Sequence, residues 1–112
     1  MNVHLHYQHS IAVVAVEGNL FANSDAIPLC TTFRDLVDKG SCRAILDLSK
    51  VTWTSIAGTG LLISALTSFR NHGGDLKFAC ASPDIKEQLF KASFDRIFEF
   101  FESVDVAVIA TL

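Results

Sequence analysis

A buried strand that runs directly into a glycine-marked helix start is the feature that most constrains the fold of this chain. Ala44 to Leu48 is an apolar run of strand length. Thr54 and Ser55 can cap a helix, and helical periodicity returns from Leu61 onward. Polar side chains and free backbone amides therefore meet at the end of a strand, where open α/β sheets usually place their sites. We expect the function to lie on this turn.

Length and charge limit the possible partners. The 112 residues suffice for one domain that buries roughly two thirds of its unfolded surface without disulfides or a metal. The formal charge of -3, with no local cluster of Lys or Arg, argues against nucleic acid as a ligand. Because half of the residues are hydrophobic and only 19% are charged, excess apolar surface is expected. A protein partner can use that surface.

The cysteines and the N-terminal residues indicate the compartment. Cys30, Cys42 and Cys80 are an odd number at wide spacings that match no motif and sit within apolar patterns, which indicates free thiols used as small core residues in a reducing setting. Residues 1–9 alternate polar and apolar side chains, unlike a signal peptide, and no apolar run reaches the length that spans a bilayer. We expect a cytoplasmic protein that does not itself insert into a membrane.

The hydrophobic pattern predicts strands that alternate with helices after an initial hairpin. The predicted strands are an edge strand at 3–7 and further strands at 11–16, 44–48, 76–80 and 97–101. In the strand 76–80, the alternation places Leu76, Phe78 and Cys80 on the buried face. The predicted helices run from Ser24 or Asp25 to Gly40, from the turn to Gly73-Gly74, and from Ser82 to Lys91. Residues 103–112 fit either a strand or a helix. This order favours an α/β fold with a mixed sheet and helices packed on it.

In this order of segments the chain resembles the STAS family, named for sulphate transporters and anti-sigma factor antagonists. The residues that carry the resemblance extend along nearly the whole chain: Glu17–Leu20, Leu46–Trp53, Gly58–Leu62, Gly73–Leu76, Ser82-Pro83 and Phe94–Phe98. The resemblance implies one STAS-like α/β domain over 1–112, with a mixed sheet of four to five strands after an N-terminal hairpin. It also implies about four helices, mostly on one face, with a final helix from Ser103. Members are non-enzymatic binding modules, so no cofactor or metal is expected.

The resemblance further implies a protein partner and a phosphorylation switch, and one departure removes the switch. Switching members bind an anti-sigma factor of the serine-kinase type until a serine is phosphorylated. Their pattern Asp-Ser-Ser/Ala-Gly-x-Gly corresponds here to the six residues from Ser55 to Gly60, and Ile56 occupies the acceptor position. Because isoleucine has no hydroxyl, the usual switch cannot operate there. Ser55 and Thr59 remain as alternative acceptors.

Two other functions stay open beside this one. A structural subunit, such as the STAS component of a lipid-transporting ABC ATPase, needs no phosphorylation switch, and the lost acceptor favours it. An enzyme with Ser55 or Cys80 as nucleophile needs a base, and no histidine is placed recognisably to activate either residue. A homodimer is compatible with each of these functions.

The turn contains the candidate contact residues, each of which also has a structural interpretation. The predicted partner surface comprises Trp53, Thr54, Ser55, Ile56, Ala57, Gly58 and Thr59. Ser55 can instead cap the helix, and Thr59 can bond a backbone carbonyl. Gly58 and Gly60 are expected to allow close backbone packing. Trp53 either anchors a partner or covers the end of the sheet.

Two further sets of side chains outside the turn are expected to be structural. Asp47 near the end of a strand is more typical of a carboxylate that accepts backbone hydrogen bonds than of a catalytic acid. His4 and His6 share one strand face but lack a third metal ligand nearby. We expect solvated edge histidines.

Overall fold

A computed structural model describes residues 1–20, 26–91 and 99–112, and these residues form five strands and four helices. The strands are β1 Asn2–Gln8, β2 Ile11–Glu17, β3 Arg43–Lys50, β4 Asp75–Ala79 and β5 Phe100–Phe101. The helices are α1 Ile27–Asp38, α2 Ile56–Asn71, α3 Pro83–Lys91 and α4 Val104–Thr111. In this described part of the chain, no helix is both long and apolar enough to cross a membrane.

The strands form one mixed sheet in the order β1-β2-β3-β4-β5. The hairpin between β1 and β2 is antiparallel and turns through His9 and Ser10, both with positive φ, the combination that suits the twist of a two-residue hairpin. All other neighbours in the sheet are parallel, as expected for strands joined by helical crossovers. The predicted α/β fold with an N-terminal hairpin is confirmed.

Two apolar clusters cover the two faces of the sheet. The larger one joins alternate residues of the central strands, such as Val14 and Leu46, to α1, α2 and α3. The smaller one joins the opposite residues of the same strands to α4 through Ala107 and Val108. Three helices therefore lie on one face and one on the other, which agrees with the family arrangement.

The ambiguous C-terminal segment is a helix because Ser103 caps it. The Ser103 hydroxyl oxygen accepts a hydrogen bond from the Val106 N–H at 3.2 Å. Ala107 and Val108 pack against the face of the sheet opposite α1, α2 and α3. The final helix that the family resemblance implies is therefore confirmed.

Two side-chain assignments of the sequence analysis need correction. Cys80 does not continue the buried face of β4, because it follows the strand with a φ of 62° and packs against the α4 cluster. Of the three cysteines, only Cys42 is buried, whereas Cys30 and Cys80 are partly exposed, so they are not all core residues.

Some predictions fall on residues outside the described ranges. They are the caps Ser24 and Asp25, the first residues of the predicted strand 97–101, and the family segment Phe94–Phe98. Within the described part, α1 has Ala26 at its N-cap position, where no side chain supplies a capping hydrogen bond. Gly40 and Gly73, both with positive φ, follow α1 and α2 as predicted.

Candidate functional site

The turn after β3 is shaped by the cap of α2. Ser55 has extended backbone, with a φ of -84° and a ψ of 167°, and its hydroxyl oxygen accepts a hydrogen bond from the Gly58 N–H at 2.8 Å. Such a cap is worth about 1 kcal/mol. The capping interpretation of Ser55 is confirmed, and the Ser55 oxygen is occupied in the folded protein.

Long-range hydrogen bonds fix the position of the turn. The Leu20 N–H donates to the Trp53 carbonyl at 2.9 Å, and the Ser55 N–H donates to the Leu20 carbonyl at 3.0 Å. From α3, the Gln88 side-chain oxygen accepts a hydrogen bond from the Thr54 N–H at 2.9 Å. The turn is thus held both by the segment that follows β2 and by α3, and it is a preformed surface.

Several of the candidate contact residues support the turn from inside. Thr54, Gly58 and Thr59 are buried. The Thr59 hydroxyl donates to the Ser55 carbonyl at 3.1 Å, which confirms the interpretation of Thr59 as bonded to the backbone. These three residues therefore hold the turn in place, and a partner cannot reach the side chains of Thr54 and Thr59 unless the turn opens.

The two glycines of the motif differ in what surrounds them. A Cβ at Gly58 would collide with the Leu20 carbonyl oxygen and would lie 2.9 Å from the Thr54 hydroxyl oxygen. A Cβ at Gly60 would have no atom of the described residues within 4 Å. The expectation of close backbone packing is confirmed at Gly58 and wrong at Gly60.

Apolar side chains remain exposed around the turn. Ile56, the first residue of α2, is 85% exposed, and its neighbours Trp53 and Ala57 are exposed as well. We refer to Trp53, Ile56 and Ala57 as the tip. No residue from 51 to 60 carries a charge. A preformed, uncharged apolar surface of this kind suits contact with another protein more than contact with an ion.

Ile27 is a further exposed apolar residue, which the sequence pattern does not single out. It is the exposed first residue of α1. Both α1 and α2 begin near the carboxyl ends of the parallel strands β2 and β3. The position of Ile27 just before Pro28 marks the first helical turn. Pro28 therefore indicates where α1 begins. It does not indicate whether Ile27 is buried or exposed, because that depends on contacts with distant parts of the chain.

Asp47 and Cys80 lie close together at the end of β4, because Asp47 of β3 is the register partner of Ala79. The Asp47 carboxylate accepts a hydrogen bond from the Ser49 N–H at 3.0 Å, as expected for a structural acid. Burial and the neighbouring Asp47 carboxylate raise the pKa of the Cys80 thiol, and a backbone hydrogen bond from Val104 acts in the opposite direction. Since the thiolate is the nucleophile, a raised pKa argues against a catalytic Cys80.

This pairing predicts how Cys80 reacts. Asp47→Asn should lower the pKa of Cys80 and increase its rate of alkylation by iodoacetamide at pH 8 about threefold or more, because each pKa unit changes the thiolate population up to tenfold. The amide oxygen of asparagine can still accept the Ser49 hydrogen bond. Mass spectrometry of the labelled peptides measures the rate, with Cys30 in α1 as the internal control. An unchanged ratio of the Cys80 rate to the Cys30 rate would contradict the assignment.

The two histidines of β1 lie on the same face of the sheet, opposite Ala15 and Val13 of β2. Both are exposed. Across the described ranges, no group of three or more His, Cys, Asp or Glu side chains is arranged to hold a metal ion.

Comparison with known proteins agrees with this architecture. The family model described as the STAS domain matches residues 2–107. The chain belongs to the STAS domain family. No curated protein matches this STAS domain significantly.

Solved structures similar to this STAS domain share its fold at low sequence identity. An anti-sigma factor antagonist from Mycobacterium paratuberculosis superposes with a TM-score of 0.81 at 17% identity, over 98% of this chain and 92% of that chain. The phosphorylated form of SpoIIAA from Bacillus gives 0.75 at 12% identity, over 99% and 100% of the two chains. The murine anion transporter Slc26a9 gives 0.69 at 18% identity, over 91% of this chain but only 18% of the transporter. At these identities the likeness establishes the fold.

Proposed function

We propose that this STAS domain is a non-enzymatic module that binds a protein partner through the tip. The observation that carries the proposal is the 85% exposure of Ile56 at the first residue of α2. Burial of an isoleucine side chain against a partner is worth about 1.5–3 kcal/mol, which corresponds to roughly 10- to 140-fold in affinity. Because the turn is already held by Leu20 and Gln88, little ordering of the chain opposes binding.

The partner proposed is an anti-sigma factor of the serine-kinase type, a cytoplasmic ATPase, and the domain acts as its antagonist. Similar structures include proteins named anti-sigma factor antagonists, which supports this choice among partners of STAS domains. Ile56 cannot accept a phosphate, so the contact is proposed to persist without the usual serine switch. The interaction would then be regulated by the amount of either protein.

The second candidate is a structural subunit of an ABC-type ATPase. Its support is the combination of an acceptor position without a hydroxyl and a turn that is held in place by backbone hydrogen bonds and by the Ser55 side-chain cap. Such a subunit would use the tip as a permanent contact. Both candidates predict a protein interface at Ile56, and they differ in the identity of the ATPase.

Affinity capture from the native cell tests the proposal. The unaltered domain should recover a kinase-type ATPase, and the Ile56→Asp variant should recover much less of it. Recovery of an ABC-type ATPase would support the second candidate instead. If both baits recover the same proteins in equal amounts, the tip is not the interface.

The absence of a hydroxyl at Ile56 leads to a separate prediction about phosphorylation. Incubation with a serine kinase of the anti-sigma type and ATP should leave the unaltered domain unmodified, because the Ser55 hydroxyl caps α2 and Thr59 is buried. The double variant Ser55→Asp, Ile56→Ser should become phosphorylated, since Asp keeps the cap and the new hydroxyl stands at an exposed position.

Intact-mass spectrometry measures the phosphate, and Ser55→Asp alone is the matched control, which should stay unmodified. Stoichiometric phosphate on the unaltered chain, mapped to Ser55 or Thr59, would show that the switch has moved along the loop. The claim that regulation by phosphorylation is absent would then be wrong.

A further inference from the structure

The outer edge of β1 is a hydrogen-bonding surface with which no other described strand pairs. β1 pairs only with β2 among the described elements, in an unbroken antiparallel register from Asn2 opposite Glu17 to Gln8 opposite Ile11. In such a pair, every second residue directs its backbone N–H and C=O away from the neighbouring strand. Over seven residues, β1 therefore offers a continuous row of donors and acceptors along about 23 Å.

This edge lacks the features that normally prevent pairing with another strand. Natural edge strands are usually very short, or they carry lysine, proline or a bulge. β1 is seven residues long, contains neither lysine nor proline, and shows no break in its register with β2. At the opposite edge of the sheet, the described part of β5 is two residues long.

On one face of the sheet, β1 carries exposed apolar side chains. Leu5 is 42% exposed and Tyr7 is 49% exposed. Both point to the same face as Val3, since side chains alternate along a strand, and Val3 packs against the larger core cluster. A neighbouring strand would cover Leu5 and Tyr7 and would extend that core across the new junction.

We propose that β1 pairs with β1 of a second copy of this chain to form a two-fold symmetric dimer with one continuous sheet. A second copy is favoured over an unrelated strand because β1 has no Asp, Glu, Lys or Arg, so no permanently charged side chain of one strand opposes a like charge on the other, and its two histidines pair without repulsion when they are neutral. The five strands of each copy then form a sheet of ten, which lies within the range of open sheets.

Geometry fixes the register of this pairing. Opposed residues of an antiparallel pair point to the same face, so an odd residue must oppose an odd residue if the two helical layers are to lie on one side of the sheet. Full overlap of residues 2–8 then requires Leu5 of one copy opposite Leu5 of the other, with Val3 opposite Tyr7. Two seven-residue strands in this register form roughly six to eight backbone hydrogen bonds, comparable with the ten or so of a standard interface.

The dimer is independent of the proposed function. β2 separates β1 from β3, and the tip follows β3, so pairing at β1 leaves Ile56 exposed in each copy. A failure of the dimer test therefore says nothing against partner binding at the tip, and the reverse also holds.

Sedimentation velocity over a dilution series of the purified chain is the first test. The unaltered chain should show a dimer that dissociates on dilution, and Leu5→Lys should raise the dissociation constant at least about tenfold, because it places two lysines opposite each other. Ile109→Lys is the matched control, since Ile109 is 71% exposed on α4, away from β1, and undergoes the same change of charge. This control should dimerise normally.

Hydrogen exchange of the β1 amides is the second test, and it also verifies that Leu5→Lys is folded. Raising the concentration of the unaltered chain should protect one alternating set of β1 amides, either 3, 5 and 7 or 2, 4, 6 and 8, and Leu5→Lys should lose only this protection. A chain that stays monomeric at every concentration would overturn the proposal. So would dissociation caused by Ile109→Lys with Leu5→Lys intact, or a dimer without protection at β1.

Discussion

Gly58→Ala is expected to lower the free energy of unfolding by about 2 kcal/mol, although alanine favours a helix over glycine by about 1 kcal/mol. The new Cβ would collide with the Leu20 carbonyl oxygen, which is a backbone atom and cannot rotate away. Overpacking of this kind costs about 1–3 kcal/mol or more. Displacement of Leu20 also strains its hydrogen bonds with Trp53 and Ser55, each worth about 0.5–1.5 kcal/mol.

Gly60→Ala is the matched control in the same helix. No described atom would contact its Cβ, so this variant should gain up to about 1 kcal/mol from helix propensity. Urea unfolding monitored by Trp53 fluorescence measures both changes on one protein. Stabilisation by both variants would show that Gly58 is not required for the close approach of α2 and Leu20.

Ile56→Asp is expected to weaken partner binding at least about 30-fold while leaving the fold intact. A side chain that is 85% exposed contributes little to folding, and substitutions at such positions usually change stability by less than about 0.5 kcal/mol. In an apolar interface, the same change removes buried hydrocarbon and leaves a carboxylate without a partner. Residues that anchor an interface typically cost 2 kcal/mol or more when they are lost, which is about 30-fold in affinity.

Local patterns in the sequence were sufficient to predict most strands and helices and the capping role of Ser55. The apolar run that ends near Leu48 and the cap before a helical stripe are both short-range patterns, and the structure confirms a strand followed by a capped helix there. The alternation of strands and helices was also sufficient to predict the α/β class, because two parallel strands must be joined by a crossover, which is usually a helix.

Long-range contacts determine the features that sequence reasoning did not predict. Leu20 and Gln88 hold the turn from other segments of the chain, and no local pattern contains that information. Gly58 and Gly60 are equivalent in the sequence, but only Gly58 faces the Leu20 carbonyl. Cys80 left the predicted face of its strand because its positive φ ends β4 one residue earlier than the alternation of side chains indicates.

The tip is the surface at which we propose that this STAS domain contacts its partner. Calorimetric titration of the captured ATPase with the unaltered domain, with Ile56→Asp and with Ile109→Asp tests this proposal most directly. Ile109 is also exposed, on α4, so its variant controls for the added charge. We expect at least about 30-fold weaker binding for Ile56→Asp and unchanged binding for Ile109→Asp. Equal affinities for the unaltered domain and folded Ile56→Asp, or a loss confined to Ile109→Asp, would contradict the proposal.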